Sequence, residues 1–394
     1  IKDANNRFIL DFIEYELGEP KYTIQECQER DMSYTIPLKG TLRLTVYETD
    51  ENTKEKEVRD IIEQQVYLGE LPMITERGTF IINGAERVII SQLHRSPGVV
   101  FDMIAQSGGR NIISGRIIPQ RGSWLEFIID QNDYGVVIID NSRKINLCTF
   151  LRALEIESEK DILNSFIQLD KVKVAALNSQ KMNLFVVPTL KDSNGLPFLT
   201  SCEYLTEALL KKIKEEEIEE IYAIDINKHP EAQIFINTFL KDTTKNFEEA
   251  VVKFYTTVRP GNPTNVESAR DQLNRMFFND KRYDLGNVGR FRMNTRLNVQ
   301  VDENIGVLTK DDILNAIKYI IRLWNGEGYT DDIDHLGNRR VRSVGELVSG
   351  QFTTAFTRMA RSIREKMSLG DLTTLTPQDL ISARTINSVL NSFF

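Results

Sequence analysis

The chain has 394 residues, of which 41% are hydrophobic and 27% are charged, and its formal net charge at pH 7 is −8. This length exceeds what one hydrophobic core usually serves, so two or three domains are expected, and the composition excludes a disordered or fibrous protein. No apolar run approaches the roughly 18 residues of a membrane span, and the three cysteines lack metal-ligand spacing. These features predict a cytoplasmic protein with free thiols.

The negative charge is unevenly distributed along the chain. Taken alone, it argues against nucleic acid as a partner. Residues 335–366, however, contain seven basic side chains and only two acidic ones, whereas residues 215–220 contain five acidic side chains. The acidic run is interpreted as the solvated face of a helix. The average therefore conceals a cationic segment.

The first third of the chain predicts a β-rich region. Alternation with period two starts at Gly40 and again at Gln64, and Asn83-Gly84 separates two apolar runs, which is the strongest short-range signal for a hairpin. A meander is predicted from Arg116, with Trp124 at the start of a strand beside a Gly-Ser corner.

The segment 88–102 is predicted to be an apolar strand that ends at Gln92 and leads into a polar turn. This turn contains His94, Arg95 and the turn formers Pro97-Gly98. A surface turn is the simple interpretation, and a charged group held rigidly for a ligand is the alternative.

From Leu147 onward the pattern predicts helices with readable boundaries. Helix starts are predicted at the pairs Thr264/Glu267, Thr309/Asp312, Ser343/Glu346 and Thr376/Pro377, and a stop at Asn325/Gly326. The helix after residue 342 is predicted to have a basic face opposite an apolar stripe, which comprises Val344, Leu347, Val348, Phe352, Ala355, Phe356, Met359 and Ile363.

Sequence motifs for catalysis are absent: the chain contains no P-loop, nucleophile elbow, zinc-binding helix or Cys-X-X-Cys. Asp332, Asp334 and Gly337 match three positions of a calcium loop. Leu336 stands where an oxygen ligand is needed, and Ser343 replaces the closing glutamate, so a turn with solvated charges is favoured. We predict no catalytic residue and no metal site.

One segment, HLGNRRVRSVGE (335–346), has the chemistry of an anion site. A Gly337-Asn338 turn feeds Arg339, Arg340 and Arg342 towards the start of a capped helix, and guanidinium groups and helix N-termini both attract phosphate. A solvent-exposed charged turn explains these residues equally well. For RGSW (121–124), a strand corner with a buried tryptophan is the favoured interpretation.

Six segments, in the same order, resemble the β subunit of bacterial DNA-directed RNA polymerase. They are YLGELPMITERGTFIINGAERVIISQLHRSPGVVFD (67–102), RIIPQRGSWLEF (116–127), RPGNPT (259–264), RYDLGNVGR (282–290), DDIDHLGNRRVRSVGE (331–346) and SLGDLTTLTPQDLISARTINSVLNSFF (368–394). The match covers most of the chain, and residues 169–247 are matched loosely.

The resemblance implies an α+β fold of two modules that form one jaw of the DNA cleft. A β-rich protrusion with returning C-terminal helices would comprise residues 1–83 and 343–394, and a mixed α/β lobe, residues 84–342, would interrupt it. Because the sequence has no initiator methionine and stops after an apolar stretch, we also expect it to be a fragment of a longer chain.

The resemblance implies several contacts with DNA. Ile333 and Asp334 would hold a flipped guanine of the non-template strand at the downstream edge of the bubble, with Arg339 supplying positive charge. Trp124 would stack on an unpaired base, which needs no sequence preference. Three arginines would meet the phosphates of single strands at the fork: Arg95, Arg259 and Arg282. A further non-template contact is less expected, because residues 141–142 are Asn-Ser where many relatives are basic.

Two further surfaces follow from the resemblance. Arg87, Ile90 and Gln92 match the wall of the rifampicin pocket. The edge formed by Asp60, Ile61, Ile62 and Glu63 matches the protrusion surface that binds the transcription-repair coupling factor, and a free strand edge is a suitable template for strand addition.

The implied partners are DNA and the polymerase subunits β′, α and σ, in the cytoplasm at the nucleoid. The catalytic Mg²⁺ would belong to the larger partner subunit, so this chain would contain no cofactor of its own. Two alternatives remain open: a stand-alone scaffold that binds regulators without contacting DNA, and a metal-dependent nuclease that uses Asp331, Asp332 and Asp334.

Overall fold

The computed structural model describes most of the chain, namely residues 1–3, 7–49, 56–105, 111–176, 184–187, 202–216, 218–369 and 375–394. The chain forms two compact units, one of residues 1–94 and 341–394 and the other of residues 95–340. The chain first passes from one unit to the other between His94 and Arg95. The sequence prediction placed this module boundary between Asn83 and Gly84.

Antiparallel sheets and α-helices together confirm the predicted α+β class. The strands are β1 (Phe8–Leu17), β2 (Thr35–Thr49), β3 (Lys56–Pro72), β4 (Phe80–Ile82), β5 (Ala85–Arg87), β6 (Gln92–Arg95), β7 (Gly98–Ile104), β8 (Ile112–Ile118), β9 (Leu125–Ile129), β10 (Gly135–Ile139), β11 (Arg143–Asn146), β12 (Asp170–Lys173), β13 (Leu184–Val186), β14 (Glu203–Tyr204), β15 (Glu220–Asp225) and β16 (Arg339–Arg342). The helices are α1 (Ile24–Glu29), α2 (Leu147–Ala153), α3 (Glu159–Phe166), α4 (Glu207–Glu215), α5 (Ala232–Leu240), α6 (Phe247–Val258), α7 (Val266–Phe277), α8 (Gly286–Leu297), α9 (Lys310–Trp324), α10 (Val344–Leu369), α11 (Pro377–Leu380) and α12 (Ala383–Phe393).

The first unit is built on a three-stranded antiparallel sheet in the order β1-β2-β3. The alternation predicted from Gly40 is confirmed, because Leu42, Leu44 and Val46 of β2 are buried. These side chains share one core with Met359 of α10 and Leu390 of α12. The closing helices therefore pack on the opening sheet, as predicted.

The hairpin predicted at Asn83-Gly84 is confirmed between β4 and β5. Asn83 has φ of 51° and Gly84 has φ of 77°. A two-residue type I′ turn needs positive φ at both positions, which asparagine and glycine tolerate best.

The predicted strand ending at Gln92 is wrong. Residues 88–91 lie outside any strand, and Gln92 is the first residue of β6. A strand requires a hydrogen-bonding partner, and β16 provides one for residues 92–95 only. Val88 and Ile90 are exposed, so the apolar run contributes no core to this unit.

The helix α10 has the predicted arrangement of an apolar stripe opposite exposed arginines. Leu347, Ala355, Met359 and Ile363 are buried. Phe356 lies on this stripe but keeps 38% of its surface exposed, and it lines an open apolar cavity with Phe12 and Tyr15 of β1.

The second unit contains a five-stranded antiparallel meander in the order β11-β10-β9-β8-β7 and a smaller sheet in the order β12-β15-β13-β14. The meander predicted from Arg116 is thus confirmed. A large core cluster packs the meander against helices and includes Phe101, Phe127, Phe150 and Phe254. This core fixes the β8–β9 corner and the helices α6 to α9, which carry the candidate site.

Most predicted helix boundaries hold. Thr309 and Asp312 form a capping box, α9 ends at Trp324 with Asn325 as its C-cap, and α11 starts with Pro377. The predicted cap at Thr264 is wrong, because the neighbouring Asn265 accepts a hydrogen bond of 2.8 Å from the Ser268 amide. Asparagine is as good a cap as threonine, and tertiary context selects between adjacent candidates.

The acidic run at 215–220 does not form one solvated helix. Helix α4 ends at Glu215, and Glu220 starts β15, whose Ile221 and Ala223 are buried in the small sheet. Carboxylates are unfavourable at a helix C-terminus, which helps to end α4 before the run is complete. Residue 217 lies outside the described residues.

The predicted free thiols are confirmed for Cys27, Cys148 and Cys202. Burial raises the pKa of the Cys148 and Cys202 thiols, so the reactive thiolate form of both is suppressed. In the part of the chain that the structure describes, no helix is long and apolar enough to cross a membrane.

Candidate nucleic-acid interface

Arg95 and Trp124, predicted from separate segments, lie together in the second unit. The Arg95 guanidinium carbon is 5.9 Å from the Trp124 ring centroid, within the range of a cation–π interaction. Trp124 is half-buried rather than a core residue. Its amide donates to Asp140 Oδ1 at 2.9 Å, and its carbonyl accepts from the Asp140 amide at 3.1 Å.

The corner between β8 and β9, residues 119–124, is fixed by backbone pairing. Arg121 and Asp284 exchange amide-to-carbonyl hydrogen bonds of 3.0 and 2.7 Å. Gly122 has φ of 135°, and a Cβ there would lie 2.7 Å from Cδ2 of Tyr283, so only glycine fits. Tyr283 is fully buried, and burial raises the pKa of its hydroxyl. This corner therefore holds Trp124 beside the segment that carries Arg282.

A cavity of about 340 Å³ opens next to this corner, and we call it the arginine cavity. It is lined by Gly122, Ser123, Asp140, Val258, Arg259, Gln272, Arg275, Met276 and Arg282. Two arginines predicted independently, Arg259 and Arg282, thus share one concavity with the corner that carries Trp124. Arg259 directly follows α6, and its amide donates to the Tyr255 carbonyl at 2.7 Å.

Sequence reasoning missed Gln272 and Arg275. They lie on α7 with Met276, at spacings of three and four residues, which places all three side chains on one helix face. This spacing was readable in the sequence. What the sequence does not show is that this face lies opposite Gly122 and Ser123.

The loop of residues 331–338, here called the aspartate loop, is tied down at its first residue. The Asp331 carboxylate accepts from the Phe101 amide at 2.9 Å and pairs with Arg296 at 3.2 Å. The Asp331 amide donates to the Phe101 carbonyl at 2.7 Å. The Asp331 carboxylate is therefore occupied by contacts within the protein.

The rest of the loop is folded on itself. Asp332 Oδ1 accepts from the Asp334 amide at 3.0 Å, and the Asp332 carbonyl accepts from the Asn338 side chain at 2.7 Å. Asp334 is exposed and Ile333 is half-buried. Among the described residues, no three His, Cys, Asp or Glu side chains are grouped as metal ligands.

Two arginines of α8 hold both ends of the aspartate loop. Arg296 donates to the Tyr329 carbonyl at 2.6 Å, and its guanidinium carbon is 3.5 Å from the Tyr329 ring centroid. Arg292, one turn earlier, donates to the Asn338 side chain at 2.6 Å. Sequence reasoning did not select these arginines, although their four-residue spacing on one helix was visible.

Arg339 is half-buried at the start of β16, which pairs with β6. The Ser96 amide donates to the Asn338 carbonyl at 3.0 Å, so the residues after Arg95 and before Arg339 are direct neighbours. Arg95, Trp124 and Arg339 therefore occupy one region, and Ile333 and Asp334 lie in the loop that leads into it.

The predicted regulator edge, Asp60 to Glu63, lies on β3, one of the two outer strands of its sheet. Ile61 exposes 56% of its surface, and Glu63 forms a 3.0 Å ion pair with Arg43 on β2. Further along β3, the Glu70 amide donates to Asn387 of α12 at 2.9 Å. The helix thus covers the far end of β3, away from residues 60–63.

The three residues predicted for the rifampicin pocket differ in their surroundings. Arg87 of β5 donates to the Phe394 carbonyl. Ile90 is 79% exposed, and Gln92 is exposed at the start of β6.

A protein-family model described as RNA polymerase Rpb2, domain 2, matches residues 95–342, which is more than half of the chain and starts where the second unit starts. The chain therefore belongs to the Rpb2 family of RNA polymerase subunits.

It is 42% identical to the DNA-directed RNA polymerase subunits beta of Salinibacter ruber and Bacteroides thetaiotaomicron, and 41% identical to that of Porphyromonas gingivalis. Each alignment covers 100% of this chain, which spans 32% of the relative. The resemblance predicted from the six segments is confirmed.

Proposed function

We propose that this chain forms part of the wall along which an RNA polymerase guides separated DNA strands. The observation that carries the proposal is the convergence of Arg259, Arg282 and the Trp124 corner around the arginine cavity. Guanidinium groups neutralise phosphates, and an aromatic ring supplies a stacking platform for any unpaired base. A local cationic surface of this kind is compatible with the acidic overall charge.

The aspartate loop supports a base-specific contact beside this surface. In the proposal, the exposed Asp334 carboxylate accepts hydrogen bonds from a flipped guanine of the non-template strand, and Ile333 packs on the base. Arg95 of β6 and Arg339 of β16, two strands that pair with each other, supply positive charge. The α8 arginines hold Asp331 and Asn338 at the two ends of the loop in advance, which lowers the entropic cost of binding.

In the complete polymerase, the two units would serve as the protrusion and the lobe at the downstream fork. Subunits β′, α and σ would be the partners, the nucleoid would be the location, and the larger partner subunit would hold the catalytic Mg²⁺. This chain would then contribute binding and no catalytic residue. Arg87, Ile90 and Gln92 would line the rifampicin pocket together with segments outside this chain.

Replacing Arg259 with Gln in the assembled polymerase is expected to weaken binding of fork DNA equally for all sequences. Because one phosphate contact is lost, the slope of log K against log salt should become shallower by about 0.7, the value for one contact to a single strand. Titration of fork DNA at several salt concentrations measures this slope. Arg322→Gln is the matched control, since Arg322 is exposed on α9 and does not line the cavity.

An unchanged slope for both Arg259→Gln and Arg282→Gln would contradict the proposal. It would favour the alternative of a scaffold that binds regulators without contacting DNA.

We also propose that the edge of β3 at residues 60–63 docks a transcription regulator, such as the repair coupling factor, by strand addition. A strand at the edge of a sheet presents backbone N–H and C=O groups that can pair with an added strand. The exposed Ile61 offers an apolar contact as well.

Charge reversal at Glu63, by Glu63→Lys, should weaken capture of the coupling factor by the polymerase about three- to tenfold. The substitution removes the pair with Arg43 and places like charges opposite each other on the exposed edge. Glu29→Lys on α1 makes the same charge change away from this strand and should leave capture unchanged. Full-strength capture by Glu63→Lys would remove this edge from the interface.

A further inference from the structure

The arginine cavity is concave as well as basic, which distinguishes it from a flat phosphate-binding surface. Its volume of about 340 Å³ is at the lower end of the range for pockets that take small molecules. Three guanidinium groups face one carboxylate in its lining, and that carboxylate, Asp140, already accepts from the Trp124 amide. The cavity therefore has an excess of cationic donors.

The walls of the cavity differ in chemistry. Arg259 and Arg282 come from loops, and Arg275 rises from α7 with 58% of its side chain exposed. Arg275 lies 4.0 Å from Asp271, the distance limit of an ion pair, so this contact takes up little of its donor capacity. Val258 and Met276 add apolar surface, and Gln272 adds an amide with both donors and an acceptor.

From this combination, we propose that the arginine cavity is a subsite for one nucleotide of the single DNA strand, with Arg275 and Gln272 as specific contacts. Arg259, Arg275 and Arg282 receive the phosphate, because guanidinium forks match phosphate oxygens. The base enters between Val258 and Met276, and the Gln272 amide hydrogen-bonds to the base edge. A polar amide beside apolar walls is the arrangement that binds a base, whereas a phosphate alone needs only charge.

The position of the cavity supports a nucleotide that is continuous with the strand. Ser123 lines the cavity and Trp124 follows it directly, while Asp140 lines the cavity and hydrogen-bonds to Trp124. A base stacked on Trp124 and a nucleotide in the cavity would therefore be close neighbours on one strand. The subsite deepens the proposed function and rests on it.

The test uses the assembled polymerase and fork DNA with an unpaired non-template strand. Arg275→Gln is expected to weaken binding about three- to tenfold at low salt, the effect of losing one charge-assisted contact. Gln272→Leu should leave the salt slope unchanged but reduce discrimination among the four bases at one strand position. Arg322→Gln again serves as the control for loss of charge outside the cavity.

Disulfide cross-linking to a Met276→Cys variant tests the subsite directly. It uses a series of DNAs, each of which carries a thiol-tethered base at a different position of the non-template strand. Disulfide cross-linking is expected at one position or two adjacent ones, and Arg322→Cys should show no such preference. Cross-linking spread evenly over all positions would overturn the subsite.

The outcomes separate this subsite from the broader proposal. If Arg259→Gln flattens the salt slope while Arg275→Gln and Gln272→Leu have no effect, the subsite is wrong and the DNA-binding wall stands. If Arg259→Gln and Arg282→Gln both leave the salt slope unchanged, and Arg275→Gln and Gln272→Leu also have no effect, both proposals fail.

Discussion

Replacing Arg290 with Met is expected to lower the free energy of unfolding of the second unit by about 3–5 kcal/mol, the largest stability effect that we predict for this chain. Arg290 and Asp312 form an ion pair with both side chains fully buried, and Arg290 Nη1 lies 2.8 Å from each carboxylate oxygen. The substitution leaves the Asp312 charge in the core without its partner.

Arg290 also satisfies the backbone of the segment before α9. Its Nε donates to the Ile305 carbonyl at 2.9 Å, and its Nη2 donates to the Val307 carbonyl. Asp312 in turn caps α9 by accepting from the Thr309 amide at 2.8 Å. Loss of the guanidinium therefore leaves a buried charge and two carbonyls unsatisfied, each of which costs free energy.

Urea denaturation of the 394-residue chain, followed by a probe in the second unit, measures this effect. The double variant Arg290→Met/Asp312→Leu should be more stable than the single variant, because it removes the orphaned charge. Arg322→Met, at an exposed position on α9, should change the free energy by less than about 0.5 kcal/mol. A loss below about 1 kcal/mol for Arg290→Met would show that the pair is dispensable.

Replacing Asp334 with Ala in the assembled polymerase should lower the preference for guanine at one position of the bubble by about 1–3 kcal/mol. A carboxylate can accept from two adjacent N–H groups of guanine, and the other bases do not present that pair of donors in the same geometry. Binding of DNA with adenine, cytosine or thymine at that position should hardly change.

Competition between fork DNAs that differ only at this base measures the preference. Asp334→Asn, which keeps one acceptor, should lose less than Asp334→Ala. Asp311→Ala removes an exposed carboxylate from the first turn of α9 and is the matched control. An equal loss of affinity for all four bases would contradict a guanine pocket and indicate a general effect on the loop.

In the proposed guanine contact, the arginines that anchor the aspartate loop would fix the position of Asp334 before DNA binds. Arg292 and Arg296 hold residues on either side of Asp334, and Arg296 is itself packed on Tyr329 and Tyr319. A contact on a fixed loop loses less conformational entropy on binding than the same contact on a mobile one. In the proposal, these two arginines therefore act by holding the loop and do not contact the DNA themselves.

Local features of the fold were predictable because they depend on neighbouring residues. The Asn83-Gly84 turn, the Thr309 capping box and the stripe of α10 are each decided within one turn or one helix. The family could be recognised for a related reason, since its segments are continuous and keep their order.

The errors have a common cause in tertiary context. The apolar residues 88–90 suggested a strand, but β16, which comes much later in the chain, pairs only with residues 92–95. The N-cap of α7 is Asn265 rather than the predicted Thr264, because packing selected one of two adequate residues. Acidic residues assigned to a helix were divided between α4 and β15 by burial of the small sheet.

The sequence by itself determined the kind of structure and the residue types available for binding, because turn, cap and stripe signals act over a few residues. Only the tertiary structure decided which of these residues meet. Arg259, Gln272, Arg275 and Arg282 join the Gly122 corner because α6 and α7 pack on the meander core, and Arg296 reaches the aspartate loop across an aromatic cluster. Such contacts depend on packing between distant segments, which no local pattern encodes.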